Sequence, residues 1–77
     1  MTINIKYFGL IAEVTQHEEE TMNVSGRFIS DLLEALYSKY PDLKNKDFQV
    51  AQNQELVSEN TELSGQELAL LPPFSGG

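Results

Sequence analysis

"ISDLLEALYSKYP", Ile29 to Pro41, is the stretch that decides the fold. Its apolar side chains, Ile29, Leu32, Leu33, Leu36, Tyr37 and Tyr40, follow the i, i+3, i+4, i+7, i+8 spacing of an amphipathic helix with one buried stripe. Asp31 in the first turn and Lys39 in the last complement the helix dipole, and Pro41 forbids continuation. Ser25 is the upstream residue able to cap this helix, although Gly26 and Arg27 intervene. The rest of the chain offers no second helix of this length, so the stripe needs a sheet to cover.

The flanking segments supply one. In "TINIKYF", Thr2 to Phe8, Ile3, Ile5 and Tyr7 alternate with Asn4, Lys6 and Phe8, the period of a strand with one buried face. Phe8 is then an aromatic on the polar side, either covered by a neighbouring loop or offered to a partner. "LIAEV" places Leu10, Ile11 and Val14 at the spacing of a turn or two of helix. "EEETMNV" reads as a return strand with Met22 and Val24 inward and Glu18 to Glu20 at a solvated start.

After the long helix, "FQVAQ" from Phe48 and "ELV" from Glu55 read as a hairpin. Asn53 and Gln54 form its turn, Asn being a residue that tolerates positive φ. "SGQE" from Ser64 turns again into "ELALL". The order strand, strand, helix, strands predicts an α+β domain with one main helix packed across a mixed sheet, a β-grasp. The expected organisation is one domain over residues 1–77, with 72–77 an extended tail. If Leu68 and Leu70 face the helix, Leu71 faces away as Phe8 does, and the first and last strands of such a sheet are neighbours. Phe8 and Leu71 are therefore expected to form one exposed apolar patch, a feature that usually marks a contact surface.

Composition narrows the chemistry. Seventy-seven residues bury only about 60–65% of the surface an unfolded chain exposes, which leaves little room for an enclosed active site. There is no cysteine and a single histidine, His17. Disulfides, thiolate metal sites and a cysteine nucleophile are excluded, and no nucleophile–base pair can be drawn. Twelve acidic against five basic residues give a net charge of −7, which repels nucleic acid and anionic membranes. The charge fits a basic protein partner, or simply solubility. "MTINIKYFGL" lacks the basic and long apolar segments of a signal peptide, and no run approaches a membrane span, so a cytoplasmic location is expected.

The closing "LPPFSGG", Leu71 to Gly77, is the unusual part. At average frequencies, two prolines and two glycines at four fixed positions occur in about one chain in a hundred thousand. Pro72 and Pro73 donate no backbone hydrogen bond and hold φ near −65°, so the chain leaves the sheet as an extended arm. Phe74 is an apolar grip. Gly76 and Gly77 have no Cβ and can pass through a channel closed to other residues. The terminal carboxylate is ionised and a poor electrophile, and making it an acyl donor takes ATP. The sequence carries no phosphate-binding loop, so activation falls to another protein.

The closing "ELALLPPFSGG", the opening "NIKYFG", the helix "ISDLLEALYSKYP" and the length resemble the small subunits of molybdopterin synthase, which are ubiquitin-like sulfur carriers. The resemblance covers nearly the whole chain, and Pro-Pro-x-x-Gly-Gly is its specific part. It implies that a ubiquitin-activating-like adenylyltransferase uses ATP to adenylate Gly77. A persulfide sulfurtransferase then supplies sulfur for a thiocarboxylate on Gly77. The tail delivers that sulfur to a cyclic pyranopterin phosphate inside a large subunit, with which the chain forms a heterotetramer. On this resemblance Gly76 is the channel residue and Phe8, Leu71 and Phe74 are interface contacts. The chain binds no cofactor of its own and is a sulfur-donor subunit rather than an enzyme alone. It departs from the family in having Ala12 where an arginine is usual, Asn53-Gln54 in place of Asn-Gly, and Phe28 at a helix cap that is usually threonine.

Two other classes of function remain open at this point. One keeps the chemistry but changes its destination: thiamine, cysteine or tRNA thiolation, or isopeptide attachment to lysines as a protein modifier. The other is a non-covalent β-grasp interaction module whose terminal glycines are incidental.

Overall fold

A computed structural model of the chain describes residues 1–65 and 67–73. Strand β1 (Thr2–Tyr7) is followed by a short helix α1 (Leu10–Thr15) and strand β2 (Glu19–Asn23). The long helix α2 (Ile29–Lys39) leads through a 3-10 turn at Pro41–Asn45 into β3 (Gln49–Gln52), β4 (Glu55–Val57) and β5 (Leu68–Leu71). The five strands form one mixed sheet in the order β2-β1-β5-β3-β4. Among the described residues only the pair β1 and β5 is parallel, with Ile5 opposite Leu68 and Tyr7 opposite Leu70. Among the described residues no helix is long and apolar enough to cross a membrane.

The core is what the alternation and the helical stripe demand. Ile3, Ile5 and Tyr7 from β1, Val50 from β3, and Leu68 and Leu70 from β5 meet Ile29, Leu32, Leu33 and Leu36 of α2. Burying each such leucine or isoleucine contributes about 1.5–3 kcal/mol. Val24, Ile11, Leu43 and Leu63 close the margins. Tyr37 and Phe48 pack as a tilted aromatic pair at the edge, 6.4 Å between centroids.

Two expectations from the sequence change here, at the start of α2 and at Glu20. Phe28, not Ser25, is the N-cap of α2. A phenyl ring accepts no hydrogen bond, and the start is held from the other direction. The Asp31 carboxylate accepts the backbone N–H groups of Phe28 at 2.9 Å and Arg27 at 3.0 Å. These two bonds, Phe28's the stronger influence, hold the Asp31 carboxyl below its ordinary range. Gly26 makes the approach possible, since a Cβ there would lie 2.5 Å from that of Asp31.

The short helix expected from the spacing of Leu10, Ile11 and Val14 forms, with Leu10 62% exposed. It buries Ile11 and Thr15.

Glu20 belongs to no wet edge. It shares a strand face with Met22 and Val24, and its side chain is only 12% exposed. Its carboxylate accepts hydrogen bonds from the Tyr7 hydroxyl, from the Tyr40 hydroxyl at 2.7 Å and from Lys39 Nζ at 2.7 Å. Burial alone would raise this carboxyl; the bonds from Lys39, Tyr7 and Tyr40 outweigh it and hold it low. Burial, reinforced by Glu20, pushes both tyrosine hydroxyls up. The cluster ties β2 to β1 and to the end of α2.

Candidate functional site

The face of the sheet turned away from α2 carries the candidate site. The strand register sets out its residues in rows. Leu56 lies opposite Ala51, Ala51 opposite Ala69, and Ala69 opposite Lys6. In the next row Gln49 lies opposite Leu71. Phe8 follows Lys6 on the far side of Leu71, and its N–H donates to the Leu70 carbonyl at 3.1 Å. Two alanines at the centre and larger residues around them produce a shallow hollow of about 680 Å³. Its lining includes Phe8, Ala51, Leu56, Ala69 and Leu71, with Lys6, Glu67, Gln49 and Gln54 at the rim. Phe8 is 44% exposed and so is not covered by a loop.

The structure therefore brings Phe8 and Leu71 together as the strand phases predict. It adds Leu56, 62% exposed, which sequence reasoning passed over. A signal was present: Val57 pairs with inward-facing Val50, so its neighbour must point outward. A three-residue strand shows too little alternation for that to stand out.

The turn after β1 aims the chain end. Gly9 has φ 57° and ψ −134°, the first central position of a type II′ turn, and the Phe8 carbonyl accepts the Ile11 N–H at 3.1 Å. A Cβ on Gly9 would lie 2.7 Å from Pro72 Cγ. Glycine is required by both backbone and neighbour, and Pro72 is seated against this turn at the edge of the hollow. A second, smaller apolar recess beside Pro72 and Pro73 is lined by Leu10 and Ile11. Phe74, Gly76 and Gly77, the remaining sequence-predicted site residues, lie outside the described residues. Ala12 lines a separate recess with Phe8 and Gly9, bordered by Lys6 as well as by Glu18 and Glu19.

Residues 5–77 match the model of the ThiS family. The chain belongs to that family. Its sheet, helix and chain order are those of a ubiquitin-like sulfur-carrier fold, and solved structures agree. The chain is similar to the small archaeal modifier protein SAMP1 of Haloferax volcanii, with 29% identity over the whole of both chains and a TM-score of 0.81. It is also similar, at 26% identity over the whole of both chains and a TM-score of 0.67, to a chain in the complex of subunits 1 and 2 of the molybdopterin-converting factor of Helicobacter pylori. A Pyrococcus furiosus protein assigned as subunit 1 of that factor shares the fold with a TM-score of 0.88. There 96% of this chain and 99% of the other are covered at 23% identity.

Proposed function

We propose that this chain is the sulfur-carrier subunit of a molybdopterin synthase. The supporting observation is the apolar hollow of Phe8, Leu56 and Leu71, which opens where β5 runs into Pro72 and Pro73. A partner seated on that hollow receives the tail at its root, and a family match running through Gly77 favours the terminal carboxylate as the group presented.

In this reading a carboxylate oxygen of Gly77 attacks the α-phosphorus of ATP on an adenylyltransferase partner and pyrophosphate leaves. A persulfide sulfur then displaces AMP, and a thiol cleaves the sulfur–sulfur bond to leave a thiocarboxylate. The chain contributes the acyl group, the narrow Gly76-Gly77 end and the docking face. The large subunit contributes the site where cyclic pyranopterin phosphate takes the sulfur.

The likeness to a modifier protein favours a second reading, in which the same activated terminus is passed to a lysine amine. Intact mass after incubation with ATP, the adenylyltransferase and a persulfide donor tests what both share with other carriers. The expected result is the increment for one oxygen replaced by sulfur, followed by pterin sulfuration when the large subunit and its substrate are added. Lysine-linked conjugates without pterin sulfuration would move the assignment to the modifier reading. No mass change with cognate partners would overturn the carrier reading.

A variant with one alanine added after Gly77 sharpens this test. The addition moves the carboxylate by up to about 3.5 Å and puts a methyl group where only glycine is proposed to fit. Misplacement of even 1 Å can cost about a hundredfold in rate. Normal docking with thiocarboxylate formation slowed by about that factor is expected, and an unaltered rate would count against placing the chemistry at Gly77.

A further inference from the structure

We infer that Gln54 is a specificity-determining contact for the partner that docks on the outer sheet face, kept at the cost of strain in its own backbone. The inference rests on the docking face proposed above. The β3–β4 hairpin closes with Gln52 opposite Glu55, leaving Asn53 and Gln54 as a two-residue loop. Both have positive φ, 53° and 67°. A two-residue hairpin loop with that pattern selects Asn-Gly, because the left-handed conformation at the second position crowds the Cβ of any residue but glycine. Asn53 fits this rule. Gln54 breaks it, since a glutamine has neither the freedom of glycine nor the short side chain that lets asparagine bond locally in that conformation.

Strained backbone retained at one position points to a use for the side chain, and the side chain's place is informative. Gln54 borders the same hollow as Leu56, Ala51 and Leu71, on the rim opposite Phe8 and the tail. Gln49 and Gln54 line the hollow as neutral amides, alongside the charged pair Lys6 and Glu67. The Gln54 amide offers two donors and an acceptor. The occupant that fits is the tail-receiving partner, through a segment with an apolar side chain over the two alanines and a polar backbone or amide group facing Gln54. A polar rim around an apolar centre is the usual division of labour at protein interfaces. Charge at Gln54 would not serve a neutral amide partner in the same way.

The proposal makes stability and binding move in opposite directions. Gln54→Gly relieves the backbone and removes the amide, whereas Gln54→Ala removes the amide and keeps a Cβ. Thermal unfolding and calorimetric titration with the molybdopterin synthase large subunit from the same genome read the two effects. Both variants should bind about five- to tenfold more weakly, as expected for one lost interfacial hydrogen bond, while only Gln54→Gly unfolds at a higher temperature than the parent. Unchanged affinity in either variant overturns the contact, and an unfolding temperature that does not rise in Gln54→Gly overturns the strain. A parent chain that does not bind the large subunit overturns the docking reading and this contact with it. Parent binding with unaltered Gln54 variants overturns the contact alone.

Discussion

The two faces of one five-stranded sheet, built from alternate residues of the same strands, have been given opposite tasks. On the helix side Ile3, Ile5, Leu68 and Leu70 are wholly buried, and a charged group brought among them, Glu20, has each oxygen engaged. On the other side Phe8, Leu56 and Leu71 stand around a floor of alanines, and the nearest ion pair, Lys6 to Glu67 at 3.4 Å, is half exposed at both ends. One face spends its apolar area on folding. The other leaves apolar area in water, which is stable for an isolated domain only in small amounts and is useful only if another protein covers it.

Neighbours in β5 offer the strongest way to break this contrast. Leu70→Ala removes a fully buried side chain at the β1–β5 seam and should cost about 2–5 kcal/mol. A domain of this size has about 4–12 kcal/mol in total, so denaturant titration should show a large loss or outright unfolding. Leu71→Asp, one residue on, should leave the unfolding midpoint nearly unchanged and weaken large-subunit binding by at least about 2 kcal/mol, the scale of an interface hot spot. If the two variants lost folding stability equally, the division of the faces would be wrong.

Much of this division was legible in the sequence. The helix from Ile29, the alternation of β1 and the outward phase of Leu71 follow from periods of 3.6 and 2, and the pairing of first and last strands follows from the β-grasp those elements imply. What escaped depended on partners far away in the chain. Glu20 looks like one of three solvated glutamates until Tyr7 and Tyr40, 13 and 20 residues distant, are folded around it. The spacing of Leu10, Ile11 and Val14 announced α1, but a six-residue helix is too short for spacing to tell which face is inward. Ser25 has the chemistry of a cap, yet the tertiary bridge between Phe28 and Glu62 and the reach of Asp31 place the helix start three residues later. At the candidate site Phe8 and Leu71 could be paired from strand phase, Leu56 needed the register of β4, and Phe74, Gly76 and Gly77 lie beyond the described residues.

Glu20 gives the next largest expected effect, and its sign depends on pH. Its carboxyl is held below the ordinary value of 4.5. The stabilisation is therefore fully present above that value and is lost as pH falls through the lower folded-state value. Tyr7 and Tyr40 are shifted upward from 10.0, so their contribution is present below pH 10 and is lost as pH rises beyond it. Glu20→Gln removes the charge that both hydroxyls and Lys39 address. It should cost about 1–2 kcal/mol at neutral pH, near the value of hydrogen bonds to a charged group. It should also flatten the acid side of a stability–pH profile measured by denaturant titration. An acid limb as steep as the parent's would mean that other carboxylates carry it.

The smallest expected effect belongs to the outer face and sharpens the comparison from its other end. Lys6 and Glu67 form the ion pair of that face, but with side chains 43% and 49% exposed each charge keeps most of its water, and the attraction is screened by salt. Pairs of this kind contribute about 0–1 kcal/mol, against the nearly buried carboxylate of Glu20. Lys6→Met keeps the aliphatic stem, which can lie along the sheet, and deletes the charge. Its unfolding free energy should stay within about 0.5 kcal/mol of the parent, the usual range for surface substitutions, and any difference should disappear at high salt. A larger, salt-resistant loss would show that polar groups on the outer face hold the fold as those around Glu20 do. That face could then no longer be described as kept free for a partner.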